Sequence, residues 1–288
     1  MTDATSLPQI TLPDTYNYIA VFLTLQCTLN CSYCINHFDR ISMEQTNLSG
    51  DMWLLGLNRL LSRPDLPLTF QGGEPTLHPD FYQIVTGLRS DSTMDLLTNL
   101  EIDIHRFMRI ISPKRFKRDT PYASIRVSYH PEVMKIEELT VKVLAFLEQG
   151  YHIGIWGVSH PSWQEEIRRA RDYCTDLGID FRTKEFLGEY EGTLHGTLRY
   201  RGACDLKTPQ QVVCRTSELL IGPTGNIYRC HSDLYSDRSA IGHLLDPELQ
   251  INDQARPCSW FGYCNPCDVK IKNNRYQEYG HTSVVIQT

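Results

Sequence analysis

From about residue 17 to residue 187 the sequence alternates short β-rich runs with longer amphipathic stretches. Apolar residues recur at helical spacing in these stretches, as at Leu54, Leu57 and Leu61, and two stretches stop at Gly150 and Gly178, a typical C-cap residue. Such a series of β-then-α units requires a parallel sheet with right-handed crossovers. The six strand candidates are YIAVFLTL (18–25), LPLTFQ (66–71), MDLLTN (94–99), ASIRVSY (123–129), HIGIWGV (152–158) and IDFRTKEF (179–186).

Six units are too few for a closed eight-stranded barrel, so we predict an α/β fold with a partial (βα)6 TIM-type barrel. Functional groups in such sheets lie at the C-terminal ends of the strands. The motif CTLNCSYC, called here the cysteine loop (residues 27–34), follows the first strand, and GGEP follows the second. Asn99 and Ser128 end the third and fourth strands, so we expect all of these residues at one edge of the sheet.

The pattern changes after Gly188. Residues 188–213 are typical of a loop or linker, and ELLIGPTGNIYRC then predicts a β-hairpin around a Pro-Thr-Gly turn. The remaining chain is short, irregular and rich in cysteine. We therefore predict an N-terminal extension (1–16), a barrel core (17–190) and a small hairpin-containing, cysteine-rich C-terminal domain (191–288).

The cysteine loop has the spacing C-x3-C-x2-C, formed by Cys27, Cys31 and Cys34, and the next cysteine is Cys174. Three thiolates can hold a [4Fe-4S] cubane by three irons and leave the fourth iron open. A zinc knuckle that takes its fourth ligand from His37 or a distant residue is the alternative.

The second motif, QGGEP, lies one strand later. Consecutive glycines, Gly72 and Gly73, let the backbone approach a ligand closely, and Glu74 adds a carboxylate before Pro75. Alone this motif is weak, because a glycine turn beside a chance acid is common. Combined with the cysteine loop one strand earlier, it becomes specific.

These residues resemble the radical S-adenosylmethionine (radical SAM) superfamily: the three loop cysteines, Tyr33 before the third of them, and GGEP. The resemblance covers residues 17–187 and implies that SAM chelates the open iron. Gly72 to Glu74 would hold its amino group, Tyr33 would lie along the adenine, and Ser128 would lie near the ribose or methionine end. Strand-end hydrogen bonding is the alternative for Ser128 and for Asn99. The cofactor-binding residues so predicted are Tyr33, Gly72, Gly73, Glu74, Pro75, Asn99, Ser128, Gly154 and Gly157.

The resemblance implies reductive cleavage of SAM to methionine and a 5′-deoxyadenosyl radical, which abstracts a substrate hydrogen. An external electron donor such as a flavodoxin or ferredoxin would supply the electron. The cofactors carry the hard step, and the protein supplies position and the exclusion of water.

A second cysteine set follows in the C-terminal region. It resembles the SPASM/twitch extension of radical SAM enzymes, which binds auxiliary [4Fe-4S] clusters, and the short downstream run fits a twitch-like domain with one cluster. Cys258 could replace one ligand, Cys204 is a weaker candidate, and a structural zinc site is the alternative. Cys174, on a helical face, is predicted to be a core thiol. The predicted auxiliary ligands are Cys214, Cys230, Cys264 and Cys267.

In the twitch group such a cluster is taken to relay an electron, so we expect a net oxidation, either dehydrogenation or cross-linking. Because about 16 residues precede the first strand, a small-molecule substrate is favoured over a peptide. A maturase or activase that modifies a peptide or protein partner is the alternative, and a non-catalytic zinc-binding module is the remote one. The candidates for a general base, none of them assigned, are His130, Lys184, Glu185 and His231.

Composition and charge argue against several other classes of protein. The net charge of -6 and the pI near 5.9 argue against nucleic-acid binding by charge. The N-terminus lacks the basic and apolar regions of a signal peptide, and no apolar stretch approaches the roughly 20 residues of a membrane span. We therefore expect a cytoplasmic protein without a membrane partner, in which ten cysteines serve metal ligation rather than disulfides.

Overall fold

A computed structural model describes residues 7–35, 47–274 and 276–287. Short 3-10 turns cover Pro75–Leu77, Pro113–Phe116 and Pro161–Trp163. The first part of the chain contains β1 (Ile10–Thr11), β2 (Tyr18–Phe22), α1 (Gly50–Leu57), β3 (Leu60–Leu61), β4 (Leu68–Gln71), α2 (Phe81–Gly87), β5 (Met94–Thr98), α3 (Ile104–Ile110), β6 (Ile125–Tyr129), α4 (Ile136–Glu148), β7 (Ile153–Ser159), α5 (Gln164–Asp176) and β8 (Phe181–Glu185).

The six predicted strands form one parallel sheet in the order β2-β4-β5-β6-β7-β8. Side chains alternate between its two faces, as expected for strands. In β6, Ile125 and Val127 are buried in the hydrophobic core, whereas Arg126 and Ser128 line a cavity on the other face. The prediction of an open, partial α/β barrel is therefore confirmed.

The first helix is shorter than the spacing predicted. It ends at Leu57, and Leu60–Leu61 instead pair in parallel with Ile10–Thr11. The N-terminal segment supplies these strand hydrogen bonds, and the Arg59 side chain fixes the corner by donating to the carbonyl oxygens of Pro8 and Leu244. The apolar Leu61 therefore lies on a strand beyond the end of the helix.

The C-terminal part contains the predicted hairpin, β12 to β13. Strand β12 pairs in parallel with β2, so the hairpin and β14 extend the barrel sheet to nine strands, while β15, β11 and β18 form a separate antiparallel sheet. The predicted boundary near residue 190 stays a prediction. The elements are β9 (Gly188–Tyr190), β10 (Thr193–His195), β11 (Gln210–Thr216), β12 (Glu218–Ile221), β13 (Asn226–Tyr228), α6 (His231–Tyr235), β14 (Gly242–His243), β15 (Ala255–Phe261), α7 (Pro266–Val269), β16 (Lys272–Asn273), β17 (Tyr279–His281) and β18 (Val284–Gln287).

The segment predicted as a linker, residues 188–213, is more ordered than its sequence indicated. It contains the β9–β10 hairpin and the start of β11. The hairpin turns at Glu191 and Gly192, both with positive φ, and its strands carry mainly polar residues that give no apolar alternation. Among the helices of the described ranges, none has the length and apolar character to cross a bilayer.

Candidate active site

A cavity of about 720 Å³ lies at the C-terminal ends of the parallel strands. Its wall includes the strand-end residues Gln71, Asn99 and His130, and members of the segments 267–274 and 277–281 of the C-terminal part face it from the other side. The volume is within the roughly 300–1,000 Å³ typical of ligand pockets. The sheet and the C-terminal part therefore enclose one site together.

The three cysteines of the cysteine loop all line this cavity. Cys31 is buried, Cys34 is half-buried and Cys27 is exposed, and none forms a disulfide. Burial raises the pKa of Cys31 to about 12, and the neighbouring thiols of Cys34 and Cys27 contribute to that rise. Three thiols that crowd one another in this way need a cation to ionise together, and a bound metal centre provides it. The donor set therefore fits an iron–sulfur cluster held by three thiolates.

Contacts from two strand ends hold the cysteine loop in place. Glu132 Oε2, just after β6, accepts hydrogen bonds from Ser32 N at 2.9 Å and Ser32 Oγ at 3.1 Å. Asn99 Nδ2, just after β5, donates to Thr28 Oγ1 at 2.8 Å and lies 3.7 Å from Cys27 Sγ. The predicted strand-end residue Asn99 thus positions the loop that carries the cysteines.

Tyr33 lies in an aromatic group beside the cavity. Its ring stacks on His160 with a centroid distance of 4.9 Å, and its hydroxyl lies 3.1 Å from His130 Nδ1. His160 in turn meets Phe186 edge-on at 4.4 Å. Sequence reasoning missed His160, although it follows strand β7 directly and obeys the same strand-end rule as Asn99 and Ser128.

The two glycines of GGEP approach backbone rather than open space. A Cβ on Gly72, whose φ is +133°, would lie 2.4 Å from the Thr24 carbonyl oxygen, and a Cβ on Gly73 would lie 2.0 Å from that of Gln26. Gly73 N donates to Thr24 O and Glu74 N donates to Gln26 O, at 3.2 and 2.7 Å. The glycines therefore dock this motif on the segment that leads into the cysteine loop, and both also line the cavity.

Glu74 lies behind the cavity wall, with no exposed surface, and Pro75 is also buried. The Glu74 carboxylate accepts hydrogen bonds from the Thr76 hydroxyl, the Thr98 hydroxyl and Asn99 N. Burial raises its pKa, and these hydrogen bonds lower it. Glu74 thus ties the GGEP turn to the end of β5, and its role in holding the SAM amino group stays a prediction.

The remaining predicted cofactor-binding residues do not all line the cavity. Ser128 lines the cavity. Gly154 and Gly157 do not: a Cβ on Gly157 would meet Ile167 and Phe181 on the helix side, and one on Gly154 would meet the Asp180 carbonyl oxygen. On strand β7 the cavity is instead lined by Trp156 and Val158.

The second cysteine set separates into two places. Five of its members pack together around the sheet of β11, β15 and β18: Cys204, Cys214, Cys230, Cys258 and Cys264. Cys214 donates a hydrogen bond to Cys258, which raises the pKa of Cys214 and lowers that of Cys258 to about 6. Cys267 lies apart and lines the large cavity. Cys174 is fully buried in the barrel core, as predicted.

The four candidates for a general base all line the cavity, namely His130, Lys184, Glu185 and His231. Three of them have polar partners: His130 has Tyr33, Glu185 accepts from Thr197, and His231 Nδ1 lies 2.7 Å from Asp268 Oδ1. Within the described ranges the side-chain ammonium group of Lys184 has no hydrogen bond and no ion pair. Burial lowers its pKa to about 8, and the nearby cation Arg126 contributes to that decrease.

Ligands of a single metal ion must converge on one point. In residues 7–35, 47–274 and 276–287, no three His, Cys, Asp or Glu side chains do so. The thiolates of a cubane bind different irons and stand farther apart than the roughly 4 Å between ligands at one zinc ion. His37, the proposed fourth ligand of a zinc knuckle, lies outside the described residues.

No family model matches the chain. It is similar in fold to solved structures of anSMEcpe. The structure with bound AdoMet (SAM) and Kp18Cys peptide has a TM-score of 0.56 and 14% identity, over 95% of this chain and 93% of that one. The histidine-tagged protein with bound AdoMet gives a TM-score of 0.54 and 14% identity, over 83% and 78%. The complex with Cp18Cys peptide gives 0.51 and 15%, over the same shares.

At 14–15% identity these likenesses establish the fold alone. They extend over the barrel and the C-terminal part together, since up to 95% of the chain is covered. The arrangement expected from the cysteine loop and GGEP is therefore confirmed at the level of architecture. The chain shares the fold of these structures, a partial (βα)6 barrel followed by a smaller C-terminal part.

Proposed function

We propose that this protein is a radical SAM enzyme that cleaves SAM reductively and removes a hydrogen atom from a substrate. The observation that supports this most directly is the convergence of three thiols and the Gly72–Gly73 turn on one cavity at the C-terminal edge of the sheet. When bound there, a [4Fe-4S] cluster and SAM supply a 5′-deoxyadenosyl radical. A hydrolase that works without a metal would not need three cysteine thiols at its site.

The chain's own residues would position and protect these groups. Cys27, Cys31 and Cys34 hold the cluster, and the absence of a fourth loop cysteine leaves one coordination position for SAM. The backbone of Gly72 and Gly73 would border the SAM methionine, and Ser128 and Tyr33 would lie along the rest of the molecule. Members of the segments 267–274 and 277–281 form the opposite wall of the cavity and would help to exclude water.

The grouping of cysteines supports a second [4Fe-4S] cluster in the C-terminal domain. Cys214, Cys230 and Cys264 lie in one group with Cys258, whereas Cys267 lines the cavity. We therefore propose Cys258 as the fourth ligand in place of Cys267. A cluster with four protein ligands has no position for substrate and would serve electron transfer.

Electron transfer to such a cluster suits a net oxidation, either dehydrogenation or cross-linking. The reaction also needs a proton acceptor, and the presence of His130, Lys184, Glu185 and His231 on the cavity wall meets that need. A flavodoxin or ferredoxin is proposed as the external electron donor.

A peptide or protein substrate is the second candidate. Two of the similar solved structures contain peptides, Cp18Cys and Kp18Cys, bound to anSMEcpe. This weakens the preference for a small molecule that the sequence suggested. A maturase would form a stable complex with its protein substrate, and size-exclusion chromatography of the reconstituted enzyme with proteins from its own genomic neighbourhood distinguishes the two.

Anaerobic reconstitution followed by reduction with dithionite in the presence of SAM tests the proposed activity. We expect 5′-deoxyadenosine and about eight irons per chain. The variant Cys31→Ala should yield no 5′-deoxyadenosine, and the control Cys174→Ala, a cysteine outside both sets, should retain it. Wild-type enzyme that contains iron but releases no 5′-deoxyadenosine would overturn the proposal. Zinc in place of iron would favour a non-catalytic module.

A further inference from the structure

The wall of the cavity carries more positive than negative charge. Five Lys and Arg side chains reach it, against the two carboxylates of Glu185 and Glu218. Both carboxylates already have a cation, since Lys272 Nζ lies 2.6 Å from Glu218 and Lys270 Nζ lies 3.7 Å from Glu185. The five cations are Arg126, Arg182, Lys184, Lys270 and Lys272.

Two of the cations lack a full counter-charge. Arg126 shares the single carboxylate of Asp95 with Arg118, so two guanidinium groups meet one acid. Its Nε is buried and has no hydrogen-bond partner among the described residues. The Lys184 side chain has neither a hydrogen bond nor an ion pair within the same part of the chain. Arg182 differs, because Asp180 pairs with it at 3.0 Å.

Both unsatisfied cations are held by the sheet rather than by mobile loops. Arg126 and Ser128 lie on β6 and face the cavity. Lys184 also faces the cavity and lies near the end of β8, which pairs with β7, the neighbour of β6. Burial, Arg126 and Lys270 lower the pKa of Lys184 and the Cys267 thiol raises it, and all four residues line the cavity. Burying a cation without an acidic partner is costly, and a bound anion removes that cost.

SAM is a poor candidate for that anion. Its carboxylate would lie at the open iron, beside the cysteine loop and Gly72–Gly73. By strand register Arg126 pairs with Gly154, whereas Val158 pairs with Lys184, so Arg126 enters about 13 Å deeper along the strands than Lys184, which lies level with the edge that carries the loop. The side chains of Lys184 and Arg126 therefore extend from the loop edge to the deep end of the cavity, and an anion at the deep end belongs to another molecule.

We propose that Lys184 and Arg126 form an oxyanion subsite for the substrate, so that the substrate carries a carboxylate or phosphate group. This inference rests on the proposed function and names the class of its substrate. The ammonium group of Lys184 and the guanidinium group of Arg126 would donate hydrogen bonds to that group. Charge-assisted bonds of this kind are each worth roughly 10- to 100-fold in affinity.

Calorimetry on the reconstituted, unreduced enzyme tests the subsite without turnover. The probes are benzoate, phenyl phosphate and the neutral benzamide, each with and without saturating SAM. We expect one of the two anions to bind at least about tenfold more tightly than benzamide, with the same affinity whether SAM is present or not. The anion that binds more tightly identifies the oxyanion class.

The variant Lys184→Met should weaken anion binding about tenfold or more, and the control Lys207→Met, an exposed lysine, should not change it. Equal binding of benzamide, absence of anion binding to wild type, unchanged binding by Lys184→Met, or displacement of the anion by SAM would each refute the subsite. Loss of SAM cleavage with anion binding retained would instead refute the proposed function.

Discussion

The substitution Gly73→Ala should selectively empty the cysteine loop of its cluster. A Cβ at this position would lie 2.0 Å from the Gln26 carbonyl oxygen and 2.5 Å from both the Gln26 carbonyl carbon and the Leu25 oxygen. An ordinary contact is roughly 3.5 Å, so the overlap is about 1.5 Å. All three atoms belong to backbone, and no side-chain rotation can relieve the clash.

The energetic cost follows from the contacts that must open. Separation of the two segments breaks the hydrogen bonds from Gly73 N to Thr24 O and from Glu74 N to Gln26 O. At about 0.5–1.5 kcal/mol each, the loss is about 1–3 kcal/mol. Because residues 24–26 lead directly into Cys27, the displacement also moves the first ligand of the cluster.

Iron analysis after anaerobic reconstitution measures the outcome. Gly73→Ala should contain about four irons fewer than wild type, because the auxiliary cysteines are untouched, and urea unfolding should report the lost stability. Gly150→Ala is the control: its φ is +83° and no atom lies within 4 Å of the added Cβ. It should lose about 1 kcal/mol and no iron. A Gly73→Ala protein with wild-type iron content and stability would refute this reasoning.

Three further perturbations address other parts of the site. Glu132→Ala removes both hydrogen bonds to Ser32, so its cluster should decay in air several-fold faster than that of wild type, as followed by visible absorbance. Glu132→Gln should decay at an intermediate rate. Equal decay rates in all three proteins would contradict this. Cys258→Ala should lose about four irons whereas Cys267→Ala should retain them, and the reverse result would restore Cys267 as the ligand. The pKa of Lys184 is lowered to about 8 by burial, so the unfolded chain binds more protons between pH 8 and 10.5. The free energy of unfolding of wild type, measured relative to Lys184→Met in urea titrations, should therefore rise by about 2 kcal/mol over that window.

Much of the barrel follows from the sequence, because each parallel strand is bounded by local signals. The C-cap glycines and the strand-end polar residues are read from neighbouring positions, and Asn99 and Ser128 lie at the predicted edge. The end of α1 could not be read in this way. Leu60–Leu61 pair with Ile10–Thr11, about 50 residues away, and no local sequence pattern indicates that pairing.

The orientation of individual site residues was harder to predict. Gly157 faces the helices because Trp156, its neighbour, faces the cavity, and the choice between the two depends on register rather than on residue type. Glu74 meets its partners only when β4 and β5 are paired. The alternation of Arg182 and Lys184 on β8 was a usable signal of an inward polar face that sequence reasoning did not exploit.

The division of the second cysteine set lay beyond spacing rules altogether. Cys214 and Cys258 meet because β11 and β15 pair in antiparallel fashion, with Val212 opposite Cys258. The C-x2-C spacing of Cys264 and Cys267 suggests a shared metal, yet α7 begins between them and turns Cys267 toward the cavity. Such pairings arise from tertiary contacts that spacing does not encode.

The central claim is that the cysteine loop leaves one iron open for SAM. Electron–nuclear double resonance on the reduced holoenzyme, with SAM labelled with ¹⁷O in its carboxylate and ¹⁵N in its amino group, tests this most directly. We predict hyperfine coupling of both labels to one cluster, and its loss in Cys31→Ala. A reduced cluster that shows no coupling to either label with SAM bound would contradict the account.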